Sequence, residues 1–278
     1  ISACLVGSEM CIRDRPDAVA QPVPNPSDHR DTVGTVREAS PAEVDAALQA
    51  AHAEAPQWAA TPPTARAQML RQAAEALEAD LPALLGTLVR EAGKTYANAM
   101  AEVREAVDFL RYYAAQAQAG FDTATHRPLG PVLCISPWNF PLAIFTGQIA
   151  AALAAGNTVL AKPAEQTPLI ATLAVQHLHR AGVPRAALQL LPGRGETVGA
   201  RLTGDARIQG VMFTGSTEVA RLLQKTLARR LGPEGKPIPL IAETGGQNAM
   251  IVDSSALTEQ VVGDVVSSAF DLSLIHIS

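Results

Sequence analysis

The pattern of apolar and polar positions changes near residue 132. Up to that point, apolar residues recur three and four positions apart, which is typical of amphipathic helices. From there on, short β-rich runs alternate with helical stretches, and the runs are almost continuously apolar, as in strands that are covered on both faces. The chain is therefore predicted to have an α/β fold, in which a doubly wound parallel sheet follows an N-terminal helical layer.

The predicted elements follow from this pattern and from local signals. Ser40, Pro41 and Glu43 have the spacing of a capping box with proline at the first helical position, so a helix begins there. Further helices of the first layer are predicted over 64–81, 82–89 and 98–117. Strands are predicted at 132–136, 158–162, 188–191, 210–214 and 238–242, with helices at 142–155, 169–181, 196–202 and 216–230 between them. A sixth strand at 249–252 and a helix at 257–270 begin a further unit.

Length, charge and cysteine content narrow the class of protein. With 278 residues and a net charge of −5, the chain can bury a core but offers no basic surface for nucleic acid. No apolar stretch approaches the roughly 20 residues that cross a bilayer. Its three cysteines, Cys4, Cys11 and Cys134, have neither a disulfide framework nor the spacing of metal ligands. We expect a cytoplasmic protein without a metal site.

Both ends of the chain differ from the sequence beside them. Residues 1–15 and 272–278 do not continue the neighbouring patterns, and both resemble peptides translated from sequencing-adapter DNA. We therefore expect both termini to be non-native. The alternative is that they are natural termini.

Polar clusters follow the predicted strands, at the ends where doubly wound sheets bind ligands. Glu243 ends an apolar run beside glycines, so that partial desolvation and freedom to swing would suit it as a general base. A solvated loop glutamate is the alternative interpretation. Asn139 lies in a turn bounded by Pro137 and Pro141 and offers an amide N–H group, as an oxyanion donor would.

Three further clusters have the composition of a nucleotide site. Lys162 and Glu165 end the second strand, where such folds bind the adenosine ribose, although on spacing alone a surface pair is the simpler interpretation. Gly195 and Gly199 open a predicted helix after a strand, which either a backbone requirement or a cofactor contact explains. Ser216 follows the fourth strand and is either a helix N-cap or a contact to a phosphate or nicotinamide.

Other polar residues are assigned structural roles. Cys134 lies within an apolar strand and is expected to pack in the core. His177 and His179 are two positions apart on one predicted helix, so they do not form a metal pair, and we expect both at the surface. The acidic residues expected on a solvated helix face, unless one of them lines a pocket, are Glu102, Glu105 and Asp108.

Four linked motifs are similar to those of the aldehyde dehydrogenase superfamily in order and spacing. They are PWNFP at 137–141, KPAEQTP at 162–168, FTGSTE at 213–218 and ETGGQN at 243–248. More narrowly, stretches such as REAGKTYANAMAEVREAVDFLRYYA resemble the L-glutamate γ-semialdehyde (Δ1-pyrroline-5-carboxylate) dehydrogenase modules of bacterial proline utilisation proteins. The resemblance implies a Rossmann-like NAD-binding domain with its helical layer at 16–250. It also implies the start of a catalytic domain at 251–271, with most of that domain missing.

The resemblance also implies the role of each site residue. Asn139 would form half of an oxyanion hole, Phe140 would lie beside the aldehyde, and Glu243 would activate the hydrolytic water. No residue would bind a metal. The residues implied in NAD binding are Ile135, Pro137, Trp138, Lys162, Glu165, Gly195, Gly199, Phe213, Gly215, Ser216, Val219 and Thr244.

The implied reaction is the NAD-dependent oxidation of L-glutamate γ-semialdehyde to L-glutamate through a cysteine thiohemiacetal. The nucleophilic cysteine of the family is expected at position 277, where this chain has Ile277, and no cysteine follows Cys134. Without a thiolate the covalent step cannot begin, so the chain as given is expected to be inactive. The alternatives are another member of the superfamily and a non-enzymatic nucleotide-binding module.

The resemblance implies partners as well. The intact protein would act on a small aldehyde, could carry a proline dehydrogenase module in the same chain, and is expected to form homo-oligomers. Its expected location is the cytoplasm, where the intact protein could associate peripherally with the inner membrane.

Overall fold

The computed structural model describes residues 20–121, 124–245 and 249–270. The first element is an antiparallel hairpin formed by β1 (Gln21–Asn25) and β2 (Asp28–Val36). Val23 and Val33 of the hairpin are buried against Leu169.

The predicted helical layer is confirmed and consists of α1 (Pro41–Ala60), α2 (Pro63–Ala79), α3 (Leu81–Ala92) and α4 (Tyr96–Gly120). The capping box at the start of α1 forms as expected. Ser40 Oγ accepts a hydrogen bond from Glu43 N at 3.3 Å, and Glu43 Oε2 accepts one from Ser40 N at 2.7 Å. Helix α3 ends at Gly93, whose φ of 65° is the left-handed conformation that glycine adopts most readily at a helix end.

The predicted doubly wound sheet is also confirmed. Its five strands, in chain order, are β3 (Pro131–Ile135), β4 (Thr158–Lys162), β5 (Leu188–Leu190), β6 (Gly210–Thr214) and β7 (Leu240–Glu243). All neighbouring strands are parallel, and their spatial order is β5-β4-β3-β6-β7. The chain therefore winds first to one side of β3 and then to the other, and the direction reverses between β3 and β6.

Helices connect these strands. They are α5 (Ala143–Ala154), α6 (Pro168–Arg180), α7 (Ala200–Gly204), α8 (Thr217–Leu227) and, after the sheet, α9 (Thr258–Phe270). A π-helical turn, Gly195–Gly199, precedes α7, so the single helix expected at 196–202 is instead two short segments. None of the helices in the described ranges is both long and apolar enough to span a bilayer.

The core has two parts, one on each face of the sheet. Alternate residues of β3 belong to different parts, because successive side chains of a strand point to opposite faces. Val132 and Cys134 pack in a cluster with α2 to α6, whereas Leu133 and Ile135 pack in a cluster with α1, α7 and α8. Burial on both faces explains the almost continuous apolar character of the strands.

Two predicted strands need correction. The strand expected at 238–242 begins two residues later, since Pro239 has no N–H group to donate to a ladder, and it ends at Glu243. The sixth strand expected at 249–252 is wrong: these residues form no strand, and Ile251 is 94% exposed. The two termini expected to be non-native, and position 277, lie outside the described residues.

Candidate active site

The carboxyl ends of the five parallel strands lie along one edge of the sheet, and every site residue expected from the sequence lies at this edge or directly after it. From one side to the other, the edge carries the turn at 195–199, then Lys162, then the loop at 137–141, then Phe213, and finally Glu243. Residues that are more than 100 positions apart in the chain therefore share one boundary of the sheet, which is where doubly wound folds hold their ligands.

Gln148 joins the two strands at the point where the winding reverses. Its Nε2 donates to the Ile135 carbonyl at 3.2 Å and to Thr214 Oγ1 at 3.1 Å, so one side chain of α5 contacts the ends of β3 and β6. Gln148 is buried. Gln148 was not predicted as a site residue, although a glutamine within the strongly apolar segment of α5 was an available signal.

The loop at 137–141 is fixed at both ends. Before it, Ser136 N donates to the Lys162 carbonyl at 3.3 Å, which extends the pairing of β3 with β4. Within it, Trp138 is 45% exposed, while Asn139 and Phe140 are half-buried. Leu142 follows the loop as the N-cap residue of α5 and provides no side-chain hydrogen bond to the helix. The first backbone N–H groups of α5 must therefore find acceptors elsewhere.

Glu102 of α4 provides that acceptor. Its Oε2 accepts hydrogen bonds from Leu142 N at 3.2 Å and from Ala143 N at 2.8 Å, and its Oε1 lies 3.0 Å from Lys94 Nζ. Glu102 was expected on a solvated face, and that expectation is wrong. It lies on the buried stripe of α4 between Ala99 and Ala106, three and four positions away. A carboxylate on an apolar stripe was the signal that would have identified it.

A compact polar group lies at the end of β4. Lys162 Nζ donates to the Pro163 carbonyl at 3.1 Å and to Glu165 Oε1 at 3.2 Å, and the same oxygen accepts from Gly195 N at 2.7 Å. Burial alone would raise the pKa of Glu165, but the Lys162 ammonium and the N–H groups of Glu165 and Gly195 outweigh it and lower the pKa. The pair is thus more than a surface contact, because the Lys162 side chain is 4% exposed.

The turn between β6 and α8 depends on a close approach of a ring to a glycine. A Cβ added at Gly215 would lie 2.6 Å from Cζ of Phe213, so only glycine fits beside this ring. Ser216 is the N-cap of α8, and its Oγ accepts from Val219 N at 3.3 Å. The N-cap interpretation of Ser216 is confirmed, and α8 begins three residues after the carboxyl end of β6.

Glu243 and Thr244 are exposed, so the partial desolvation expected for Glu243 is not observed in the described residues. The physical reason is the position of β7 at the edge of the sheet, where its side chains are largely uncovered. The backbone is nevertheless in place: Glu243 pairs with Thr214 in the ladder, and Gly215 N donates to the Glu243 carbonyl at 3.1 Å. The end of β7 thus supports the turn that begins α8.

The remaining polar candidates have structural roles. Cys134 is fully buried, burial raises the pKa of its thiol, and its expected role in packing is confirmed. His177 is buried rather than exposed, because it lies on the buried face of α6 with Ala174 and Leu178, and its Nε2 lies 3.0 Å from Asp80 Oδ2. His179 is half-buried and pairs with the Val183 carbonyl, and burial lowers its pKa. Within the described ranges, no three side chains of the metal-binding types cluster together.

Comparisons with known proteins agree with this arrangement. The model of the aldehyde dehydrogenase family matches residues 14–273. The bifunctional protein PutA of Klebsiella aerogenes is 70% identical over 251 residues, which are 90% of this chain and 19% of that protein. The 1-pyrroline-5-carboxylate dehydrogenase of Anoxybacillus flavithermus is 37% identical over 261 residues, which are 90% of this chain and 51% of that enzyme.

A solved structure is similar over the same region. The 1-pyrroline-5-carboxylate dehydrogenase from Thermus with bound NAD has a TM-score of 0.85 and 38% identity, covering 92% of this chain and 52% of that one. The chain spans about a fifth of the length of the PutA relatives that it matches. Because the family match extends over almost the entire sequence, the chain belongs to the aldehyde dehydrogenase family.

Proposed function

We propose that the protein to which this chain belongs oxidises L-glutamate γ-semialdehyde to L-glutamate with NAD as the oxidant. The observation that carries the proposal is the shared strand edge, where the Glu165 carboxylate and the Asn139 loop follow the ends of two neighbouring strands, β4 and β3. The choice of substrate rests on the relatives, which are named PutA and 1-pyrroline-5-carboxylate dehydrogenase.

The residues at the end of β4 suit NAD. Glu165 has a lowered pKa and is therefore ionised near neutral pH, so it can accept hydrogen bonds from ribose hydroxyls and repels a 2′-phosphate. Gly195 is exposed and leaves the backbone beside it accessible, Gly199 is buried next to the Lys162 side chain, and the first turn of α8 offers N–H groups to a pyrophosphate. When bound, NAD supplies the two-electron oxidation of the aldehyde carbon.

Residues of the chain itself would orient the aldehyde and accept a proton. The Asn139 amide would donate to the aldehyde oxygen as negative charge develops on it, and Phe140 would pack beside the carbon chain. Glu243 would take a proton from the water that releases the acid. All of these steps require a thiolate, and the sequence has Ile277 at the expected position. We therefore propose that this chain binds NAD without oxidising an aldehyde.

Titration of the chain with each dinucleotide tests the cofactor assignment. NAD should bind measurably, and NADP should bind at least about tenfold more weakly, a difference of about 1.4 kcal/mol. Glu165→Gln removes the charge that repels the 2′-phosphate, so it should reduce the preference. Equal affinities for NAD and NADP in the unmodified chain would contradict this assignment.

A graft tests the reaction. Residues 20–270 replace the matching segment of the Klebsiella aerogenes protein, with which the chain shares 70% identity. We expect the graft to form NADH from L-glutamate γ-semialdehyde, and Asn139→Ala to reduce kcat by roughly 100-fold or more. A folded graft that binds NAD but leaves this substrate unchanged would exclude the proposed reaction and favour a nucleotide-binding role.

We also infer partners and a location for the intact protein. The PutA relatives are described as bifunctional and are about five times as long as the matched segment, which supports a proline dehydrogenase module in the same chain. We further propose that the intact protein forms homo-oligomers and acts in the cytoplasm. Gel filtration and proline oxidation assays of the intact protein test these points.

A further inference from the structure

The loop at 137–141 connects a strand of the sheet to a helix that has no cap of its own. Its entry is fixed by β3, whose last carbonyl is held by Gln148. Its exit is the start of α5, where Leu142 provides no capping side chain. The position of the loop therefore depends on what satisfies the first N–H groups of α5, since unpaired donors at a buried helix end are costly.

A buried ion pair from the helical layer satisfies these groups. Glu102 accepts from Leu142 N and Ala143 N through one carboxylate oxygen and contacts Lys94 Nζ through the other, at 3.0 Å. The Glu102 side chain is 1% exposed and the Lys94 side chain is 6% exposed. Charges removed from water to this extent persist only when each has its partner, so the geometry of the pair is tightly constrained.

The same ion pair also contacts the loop itself. Lys94 Nζ lies 4.8 Å from the centroid of the Phe140 ring, within the range of a cation–π interaction. Lys94 can reach this position because the left-handed Gly93 ends α3 directly before it. The pair therefore holds the loop at two points: a ring within it, and the backbone immediately after it.

We propose that Lys94 and Glu102 are positioning residues that set the conformation of the 137–141 loop and, through it, the direction of the Asn139 amide. The effect on the loop conformation does not depend on the proposed function. The effect on the Asn139 amide rests on the proposed function, in which Asn139 stabilises the developing oxyanion. Neither Lys94 nor Glu102 is assigned a contact with substrate.

Glu91 provides a matched control within the same chain. Its two carboxylate oxygens accept from Leu169 N at 2.6 Å and Ile170 N at 2.8 Å, so it caps α6 as Glu102 caps α5. It is also buried. Its helix follows β4 rather than the 137–141 loop. Replacing the Glu91 carboxyl group therefore perturbs a comparable helix end and leaves the proposed contacts to the loop in place.

Acrylamide quenching of tryptophan fluorescence in the full chain tests the proposal. The chain has two tryptophans: Trp58 is 2% exposed, whereas Trp138 lies in the loop and is 45% exposed. Trp138→Phe measures the contribution of Trp58. We expect Glu102→Gln and Lys94→Met to raise the quenching constant of Trp138 by about twofold, the increase from 45% to nearly complete exposure.

The proposal is supported if these two variants loosen the loop while Glu91→Gln and Lys94→Arg, which retains the cation, quench as the unmodified chain does. It is overturned if folded Glu102→Gln and Lys94→Met show unchanged quenching, or if Glu91→Gln raises it equally. In the unmodified chain, rapid hydrogen exchange of the Leu142 and Ala143 amides would also overturn it, without any variant.

The test is independent of the proposed reaction, because quenching requires neither NAD nor an aldehyde. In the graft described above, Lys94→Met should lower kcat more than it raises the KM for NAD, and Lys94→Arg should restore kcat. An inactive graft with the expected quenching pattern would reject the proposed function and leave the positioning of the loop intact.

Discussion

Gln148 Nε2 donates a hydrogen bond to Thr214 Oγ1 at 3.1 Å and thereby connects the first strand of the sheet to the fourth. The two residues are 66 positions apart, and Gln148 also donates to the Ile135 carbonyl. The contact lies where the direction of winding reverses, so it joins the two halves of the strand edge that carries the candidate site.

Replacing Gln148 with leucine should therefore destabilise the chain. The change keeps the approximate volume but leaves the Ile135 carbonyl without this donor, at an expected cost of about 1–3 kcal/mol in the free energy of unfolding. Urea denaturation measures it. Gln189→Leu is the control: Gln189 donates to the Arg185 carbonyl at an exposed position, and its loss should cost no more than about 0.5 kcal/mol. Equal losses in unfolding free energy for the two variants would show that the Gln148 hydrogen bonds contribute no more than an exposed one.

Glu91 should make stability depend on pH. Burial is the largest influence on its pKa and raises it from 4.5 to about 7, although the N–H groups of Leu169 and Ile170 act in the opposite direction. The folded state thus binds the proton more tightly than the unfolded state. The contribution of Glu91 is greatest below pH 4.5 and is lost as the pH rises toward 7.

The change with pH is expected to reach up to about 3 kcal/mol. The measurement is the difference in unfolding free energy between the unmodified chain and Glu91→Gln, taken between pH 4.5 and 8, because other titrating groups cancel in that difference. A difference that does not vary with pH, or that grows in favour of the unmodified chain as the pH rises, would contradict the expected titration.

Gly215→Ala should disturb the turn between β6 and α8. The added methyl group would lie 2.6 Å from the ring of Phe213, which is 4% exposed and has little room to move, so we expect a loss of about 1–3 kcal/mol and weaker NAD binding. Gly204→Ala is the control, since a Cβ there meets no atom within 4 Å; it should be neutral or stabilising by up to about 1 kcal/mol. Thermal melting and NAD titration of both variants decide the point.

The last helix should promote association of the chain in isolation. Val262, Val266 and Phe270 of α9 are each more than half exposed, as is Ile241 of β7. Exposed apolar surface of this kind favours aggregation. We expect Val262→Lys with Val266→Lys to increase the monomeric fraction in gel filtration and to leave the melting temperature within about 1 °C, because neither side chain is buried. A monodisperse unmodified chain would refute this expectation.

The sequence predicted the fold best where local signals and burial agree. The strand at Thr158–Lys162 was predicted to the residue because an apolar run ends at Pro163. The strand at Leu240–Glu243 was misplaced because Pro239 interrupts the apolar pattern without ending it. The clusters at the strand edge were predicted for a similar reason: parallel strands bring their carboxyl ends together whatever the intervening helices contain.

The partners of the residues that support the site could not be predicted from periodicity alone. Glu102 and Glu91 lie on helices whose charged residues are otherwise solvated, and their partners are backbone amides 40 and 78 positions away. Local spacing carries no information about such distant amides. The exposure of Glu243 likewise follows from the edge position of β7, which depends on strand order and not on the sequence around the residue.

The two carboxylates that cap α5 and α6 also bear on how this fold can be divided. Residues 131–243 contain the five described strands of the parallel sheet, and by strand count they form a complete doubly wound unit. Yet the acceptors for the first turns of two of its helices, Glu102 and Glu91, come from outside that segment. A fragment that began at residue 131 would bury the first N–H groups of α5 and α6 without these acceptors. The smallest autonomous folding unit must therefore include α3 and α4, and recombination or truncation that separates these two helices from the sheet should not be tolerated.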